Sequence, residues 1–360
     1  MCVYENRRAL LQRGMQREEI AAVVVPPSSD FLYLTGSPRP EAQRPAALVM
    51  TQERAVLLMP AFECGSEPAL AASLELCPYS DEQDAASLLA GLLPARGCVA
   101  VGRQMRASLL LSLQAHRAAL RWQSADSLLV PLRSRKSAEE IRILETAQHM
   151  AERALTRLLE EPLIGRTEKE IAARLRQLRL DEGFDAVGNG IVASGPNTAL
   201  PHHVNGDRAV CRGDALMFDI GGTYRGYRAD FTRTFAVGRL PDGFEDVYSV
   251  VLQAHLAGRD AAAAGVPASD VDQAARRVIS QAGYGPFFTH RLGHGIGLDI
   301  HEAPFIAAAN TAPLETGNVF SCEPGIYLPG RFGIRIEDLL VLQDDGVHSL
   351  NTLSKQLQIV

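Results

Sequence analysis

Residues 215–237 read ALMFDIGGTYRGYRADFTRTFAV, in which two strand-like runs flank a glycine-rich turn. The runs, Ala215–Ile220 and Tyr227–Val237, predict an antiparallel hairpin. Side chains alternate between the two faces of a strand, and this spacing lets Asp219 and Asp230 point in the same direction. Solvated aspartates at strand ends are the alternative. However, the apolar run before Asp219 predicts burial, and a buried carboxylate needs a partner.

A second pair of acids has a similar setting. Val319–Ser321 and Gly333–Leu342 have the pattern of strands, and a bend rich in proline and glycine joins them. Glu323 and Glu337 lie within this second predicted hairpin. The acids of the two hairpins are therefore expected to face one centre.

A histidine cluster surrounds the sequence RLGHGIG at residues 291–297. The glycines beside His294 allow the backbone to approach a site closely. A lone histidine is more often a satisfied core residue. Here His290, His294 and His301 lie within twelve positions, which favours a site.

Four carboxylates gathered in one pocket would carry a charge that burial and hydrogen bonding cannot compensate. Two divalent cations would neutralise it. Oxygen-rich ligation with one imidazole suits Mn²⁺, and Co²⁺, Zn²⁺ and Fe²⁺ are the alternatives. The sequence therefore predicts a two-metal hydrolase site, whose ligands are Asp219, Asp230, His294, Glu323 and Glu337.

The composition excludes several classes of protein. The chain has 360 residues and a net charge of -6, with no dense run of Lys or Arg, so it lacks the electrostatic footprint of a protein that binds nucleic acid or an anionic membrane. No apolar stretch approaches the roughly 20 residues of a membrane span. Because the N-terminal segment has no signal-peptide core, we expect a cytoplasmic protein. The six cysteines suggest no disulfide framework.

The length of the chain predicts two domains. Residues 1–130 alternate short apolar runs with helical patterns, which predicts a small α/β domain. Its expected elements are a helix at Ser108–Leu120 and strands at Ala21–Val25, Phe31–Leu34, Ala46–Met50 and Ala55–Met59.

Residues 134–360 combine the two hairpins with helices. Capping boxes at Ser137–Glu140 and Thr167–Glu170 each predict the start of a helix. Further helical patterns cover Phe244–Ala264 and Ser269–Ala282. We expect an α+β fold, in which helices cover one face of a curved antiparallel sheet.

Six ordered motifs resemble the signature of the Xaa-Pro metallopeptidases, which are the prolidases and aminopeptidases P of peptidase family M24. The motifs are FDIGG at 218–222, RADFTRT at 228–234, GHGIGL at 293–298, HEAP at 301–304, EPGIY at 323–327 and RIED at 335–338. The resemblance implies a pita-bread catalytic domain over residues 134–360 and a creatinase-type domain over residues 1–130.

The resemblance also implies individual roles. Asp219 chelates one metal, His294 and Glu323 hold the other, and Asp230 and Glu337 bridge the two. A hydroxide shared by both ions is then the nucleophile that hydrolyses the Xaa-Pro bond at the N-terminus of a peptide. Glu323 would transfer the proton.

A second group of residues is expected to contact the substrate. His202, His290 and His301 align with family histidines that contact the substrate or stabilise the oxyanion. Arg335 shares a strand face with one of the acids, so it is expected to hold a ligand carboxylate. His203 is predicted to be a spectator. The implied partners are a proline-containing peptide and other copies of the chain, in a homodimer or homotetramer.

The length of the substrate and the exact reaction stay open. Some dipeptidases of this group have an arginine just after the His-Glu-x-Pro motif that binds the C-terminal carboxylate, whereas this chain has Phe305. This difference favours substrates longer than dipeptides. The alternatives are a related hydrolase that acts on another small amide and an inactive binding protein of the same fold. The second alternative predicts loss of metal ligands, and none is lost.

Overall fold

The chain divides into two compact units, Met1–Arg133 and Ser134–Val360. The structure is a computed structural model that describes residues 2–360, except the side chains of Pro68, Ala69 and Ala71. Within the described range, none of the helices combines the length and the apolar character that a bilayer crossing requires.

The N-terminal unit is built on a six-stranded mixed sheet in the order β4-β3-β2-β1-β5-β6. The strands are β1 (Ile20–Val25), β2 (Ala47–Thr51), β3 (Ala55–Pro60), β4 (Glu75–Tyr79), β5 (Gly97–Val101) and β6 (Leu120–Ser124). The helices are α1 (Val3–Arg17), α2 (Ser29–Thr35), α3 (Pro68–Ser73), α4 (Ala85–Leu92), α5 (Ala107–His116) and α6 (Asp126–Ser134). This arrangement is the predicted α/β domain.

The strand predicted at Phe31–Leu34 was wrong, because these residues lie in helix α2. Ser28 caps this helix by accepting a hydrogen bond from the backbone N–H of Phe31, and Gly36 ends it with a φ of 79°. A run of four apolar or aromatic residues fits either element. The two caps decide in favour of the helix.

The C-terminal unit has a three-stranded sheet β7-β8-β9, a five-stranded sheet β11-β10-β12-β15-β16 and a two-stranded sheet β13-β14. The first strands are β7 (Ile191–Ser194), β8 (Ala215–Tyr224), β9 (Tyr227–Ala236), β10 (Gly293–Gly295) and β11 (Glu302–Ile306). The others are β12 (Val319–Cys322), β13 (Gly325–Leu328), β14 (Phe332–Arg335), β15 (Asp338–Gln343) and β16 (Gly346–Ser349).

Four helices complete this unit: α7 (Ala138–Leu159), α8 (Glu168–Asp181), α9 (Phe244–Ala261) and α10 (Ala268–Gln281). Both predicted capping boxes are confirmed at the starts of α7 and α8. The apolar faces of α7 and α8 share one core with β8 and β9. Those of α9 and α10 share another with strands of the five-stranded sheet. The helix-covered sheets are those expected of the α+β fold.

The first predicted hairpin is confirmed, because β8 and β9 pair with Asp219 opposite Thr232 and Asp230 opposite Gly221. The second predicted hairpin was wrong in its pairing. β12 pairs with β15, and β13 and β14 form a separate hairpin between them. The returning chain breaks at Glu337, which forms an isolated bridge with Thr232. This bridge joins the two halves of the unit, and it explains why one strand cannot run from Gly333 to Leu342.

A buried ion pair fixes the same junction on the opposite face of β9. Arg233 donates to Asp338 Oδ1 at 2.7 Å and to the carbonyl of Glu337 at 2.6 Å. Lys355 and Ser349 donate to the other oxygen of Asp338. Burial would raise the pKa of Asp338, but the charges of Arg233, His255 and Lys355 lower it to about 2. Asp338 is therefore a structural acid.

We predict that Asp338→Asn lowers the free energy of unfolding by about 3–5 kcal/mol, because it leaves the Arg233 guanidinium buried without its counter-ion. Urea unfolding followed by circular dichroism measures the change. Asp345→Asn is the matched control, since Asp345 pairs with His348 at the surface and should change stability little. Equal stability of the two variants would contradict the structural role of Asp338.

Candidate metal centre

The five predicted metal ligands meet in one cavity of the C-terminal unit. Its volume is about 420 Å³. β8 and β9 contribute Asp219 and Asp230, β10 contributes His294, and the chain flanking β12 and β15 contributes Glu323 and Glu337. The other residues that line this cavity, which we call the catalytic cavity, are Pro201, His202, His290, Arg291, His301 and Arg335.

The orientation of His294 suits a metal ligand. Its Nδ1 lies 3.0 Å from the carbonyl oxygen of Gly295, so Nδ1 carries the proton and donates. Its Nε2 faces the acids, 3.4 Å from Glu323 Oε1 and 3.8 Å from Asp230 Oδ2. Burial lowers the pKa of His294 to about 3, so the ring is neutral. The Nε2 lone pair is therefore free to bind a cation.

Close packing of β10 against β12 sets the position of His294. A Cβ on Gly293 would lie 1.8 Å from the carbonyl oxygen of Ser321, which no side chain tolerates. Ser321 in turn accepts a hydrogen bond from the backbone N–H of His294 and donates one to Glu323. The glycine beside His294 is thus required by a close backbone approach, as the sequence suggested.

The acids are close enough to repel one another. Ligand atoms of Asp230, His294 and Glu337 all lie within 4.8 Å of one another. Burial and the neighbouring carboxylates raise the pKa values of Asp230 and Glu337 well above the ordinary range. Burial also raises the pKa of Glu323 to about 7. A donor set of carboxylate oxygens and one neutral imidazole in this cluster fits hard or borderline divalent cations.

Arg335 supplies a positive charge at the edge of the cluster. Its Nη2 donates to Asp219 Oδ2 at 2.6 Å, and its Nε donates to Thr232 Oγ1 at 3.1 Å. Thr232 donates to Glu337 Oε2 at 2.7 Å. The guanidinium therefore orients two carboxylates, that of Asp219 directly and that of Glu337 through the hydroxyl of Thr232.

Two residues of this network received no role from the sequence. The hydroxyl of Tyr327 accepts a hydrogen bond from Arg335 and lies 2.8 Å from His290 Nε2. Gln148, fully buried on α7, bonds both the N–H and the carbonyl of Asp230. Tyr327 lies within the EPGIY motif, which was a usable signal. Nothing local in the sequence marks Gln148.

The three histidines that were predicted to contact the substrate differ in how they are held. His290 donates from Nδ1 to the carbonyl of Arg291 and accepts at Nε2 from Tyr327, and burial lowers its pKa to about 4. The His301 ring packs edge-on against His294, with centroids 4.2 Å apart. His202 is exposed and forms no hydrogen bond with the described residues.

Two of these histidines border a second cavity as well. His202 and His301, together with Asp219 and Asp230, also line a space of about 620 Å³. Asp219 and Asp230 thus border both spaces. His203, the predicted spectator, lines neither of them and bonds to Glu168 instead.

We predict that Mn²⁺ at a hundred times its dissociation constant raises the melting temperature of the metal-free protein by about 5–10 °C, because only the folded chain gathers the acids. Differential scanning calorimetry measures the shift. Asp230→Asn/Glu337→Gln should lose the shift and be at least as stable without metal, since it removes buried repulsion. Asp207→Asn, at an exposed site, should keep the shift. An absent shift in the unmodified chain would refute the metal site.

Comparison with known proteins agrees with this geometry. Residues 142–344 match metallopeptidase family M24, and residues 7–135 match the creatinase/prolidase N-terminal domain. The chain is 38% identical over 364 residues to a Mycobacterium tuberculosis protein named "Probable dipeptidase PepE", which covers 99% of this chain and 97% of that protein.

Solved structures of peptidases are similar over almost the whole chain. A prolidase from Thermococcus sibiricus has a TM-score of 0.93 and 31% identity, covering 100% of both chains. An X-Pro aminopeptidase from Thermotoga maritima has a TM-score of 0.87 and 31% identity, covering 98% of this chain and 99% of that chain. This chain therefore belongs to metallopeptidase family M24, a family of metal-dependent peptidases, and carries a creatinase/prolidase N-terminal domain.

Proposed function

We propose that this chain hydrolyses the Xaa-Pro bond at the N-terminus of peptides and uses two divalent cations, of which Mn²⁺ is the expected one. The observation that carries the proposal is the meeting of four acids and a neutral His294 in one cavity. The similarity to a prolidase and to an X-Pro aminopeptidase supports this choice of bond.

The proposed ligand sets follow the two halves of the unit. Asp219 would hold one ion, His294 and Glu323 would hold the other, and Asp230 and Glu337 would contribute to holding both. When bound, the ions would lower the pKa of a coordinated water and polarise the scissile carbonyl. Every other step belongs to side chains of the protein.

Glu323 is the proposed proton carrier. Its Oε1 already accepts from Ser321 at 3.1 Å and faces His294, which leaves the second oxygen for an incoming proton. The nitrogen of an Xaa-Pro bond has no hydrogen, so the departing proline amine must be protonated. Glu323 would take a proton from water and deliver it to that nitrogen. His202 and His301, at the rim of the cavity, are proposed to donate to the carbonyl oxygen of the substrate.

We predict that a chelator abolishes hydrolysis of Ala-Pro and that Mn²⁺ or Co²⁺ restores it. Glu323→Ala should lower kcat by at least about a hundredfold, because the leaving amine loses its proton donor. Proline release measures the rate, and circular dichroism shows whether the variant is folded. Undiminished cleavage by the chelated protein would rule out this mechanism.

Arg291 bears on the length of the substrate. It lines the catalytic cavity, and its guanidinium forms no hydrogen bond or ion pair with the described residues. Its guanidinium lies over the ring of Phe305, 4.7 Å from the centroid. A guanidinium beside a catalytic cavity that pairs with no carboxylate among the described residues suits a substrate carboxylate. This supports a dipeptide with a free C-terminus, although Phe305 considered alone favoured longer peptides.

We predict that Ala-Pro is a better substrate than Ala-Pro-amide and that Arg291→Leu removes most of the difference. The variant should lower kcat/KM for Ala-Pro by about tenfold or more, in line with the loss of one charge-assisted hydrogen bond. The amide lacks the carboxylate, so it serves as the internal control. Equal losses on both peptides would contradict a carboxylate contact.

Other features stay predictions. A homodimer or homotetramer and a cytoplasmic location are expected from the sequence. A hydrolase for another small amide is the second candidate, and hydrolysis of non-proline dipeptides at comparable rates would favour it. An inactive binding protein is less well supported, because all five predicted ligands line one cavity.

A further inference from the structure

The carboxylate of Glu168 is fully buried at the first turn of α8, outside both cavities. It accepts five hydrogen bonds. Oε1 accepts from the Ser194 N–H and hydroxyl, both at 2.8 Å, and from Asn197 Nδ2 at 2.9 Å. Oε2 accepts from His203 Nε2 at 2.6 Å and from the Gly206 N–H at 2.9 Å.

These donors lie at both ends of a single segment, residues 194–206, which begins at the last residue of β7 and leads towards β8. We call it the histidine segment, because it carries His202 to the edge of both cavities. Glu168 therefore holds the segment on each side of the residue that faces the substrate space. The histidine segment is also bonded to β14, where the hydroxyl of Thr198 accepts a hydrogen bond from the Gly333 N–H at 2.8 Å.

His202 depends on this support because its own side chain has none. The imidazole is exposed and bonds to no described residue. Its neighbours Leu200 and Val204 are 55% and 84% exposed, so they contribute little packing. The position of the ring is thus set by the backbone. Glu168 holds this backbone on both sides of His202, and the Gly333 N–H bond to Thr198 and the Arg335 Nη1 bond to the Pro201 carbonyl, at 3.4 Å, add to it.

We propose that Glu168, acting through His203 and the other four donors, is the positioning residue that places His202 against the substrate. This inference rests on the proposed peptidase function for its kinetic consequences. It also gives His203 a role, since its side chain points away from the cavities and bonds to the buried carboxylate.

The charge of Glu168 is essential to this arrangement. Burial acts to raise its pKa, but the bonds from Asn197, His203 and Gly206 lower it below the ordinary value. The positive end of α8 and the nearby Arg208, which donates to Ser194, also favour an anion. A carboxylate can accept on both oxygens, whereas glutamine would present an N–H₂ group to donors.

The test is a double-mutant cycle on the full-length, metal-loaded enzyme. Glu168→Gln keeps the side-chain volume and removes the charge, and we expect about a tenfold loss in kcat/KM for Ala-Pro. In the double variant with His202→Ala, kcat/KM should fall little further than in the more impaired single variant. Both changes remove the same contact, that of His202 with the substrate. Additive losses would overturn the proposal.

Glu170→Gln is the matched control, because Glu170 lies in the same helical turn and its carboxylate accepts hydrogen bonds from Thr167 alone among the described residues. It should leave kcat/KM unchanged within about twofold. His203→Ala removes a single donor and keeps the buried carboxylate, so it serves if Glu168→Gln does not fold. It should lower kcat/KM in the same direction and also be non-additive with His202→Ala.

Hydrogen exchange separates this inference from the proposed function. Glu168→Gln and His203→Ala should speed amide exchange in residues 195–206 at least tenfold, while Glu170→Gln should not. Unchanged exchange in both variants would overturn the positioning role whatever the substrate. If the unmodified chain cleaves no Xaa-Pro peptide, the proposed function fails, yet the exchange result still decides whether Glu168 holds the segment.

Discussion

The mutual repulsion of buried carboxylates is the constraint on which the C-terminal unit depends. Asp230 lies in β9 and Glu337 lies between β14 and β15, and the two are held together at a bridge between Thr232 and Glu337. Such a cluster is unfavourable by itself, since burial raises the pKa values of Asp230 and Glu337 and the neighbouring carboxylates raise them further. The structure accommodates this cluster because strong hydrogen bonds and an adjacent guanidinium surround the acids, and because a cation can neutralise their charge.

Side chains alternate between the two faces of β9, which separates the residues beside the cavity from those of the buried ion pair. Thr232, on the side of the cavity, bonds to Glu337, and the next residue, Arg233, points to the other side and pairs with Asp338. The two acids, Glu337 and Asp338, are consecutive in the chain and lie in different surroundings. One is available to a metal, and the other has a pKa lowered to about 2 in a permanent ion pair. The Arg233–Asp338 ion pair on one face of β9 thereby fixes the register of the Thr232–Glu337 pair on the other.

Much of the site could be predicted from the sequence, because its residues lie in motifs with regular spacing. The 11-residue separation of Asp219 and Asp230 in a hairpin fixed their common face, and the glycines beside His294 marked a close backbone approach. The second hairpin was wrong because strand patterns do not specify partners, and β13 and β14 pair with each other. Phe31–Leu34 was wrong because its helix depends on caps at Ser28 and Gly36.

The contacts that support the site could not be predicted from local sequence patterns, because they join distant parts of the chain. The contacts between Gln148 and Asp230 and between Glu168 and His203 have no spacing that a periodic pattern records.

The most direct measurement of the central claim is anomalous diffraction at the manganese edge from crystals grown with Mn²⁺. The account predicts two peaks among Asp219, Asp230, His294, Glu323 and Glu337. An ordered structure with no peak there, and Arg335 still bonded to Asp219, would contradict it.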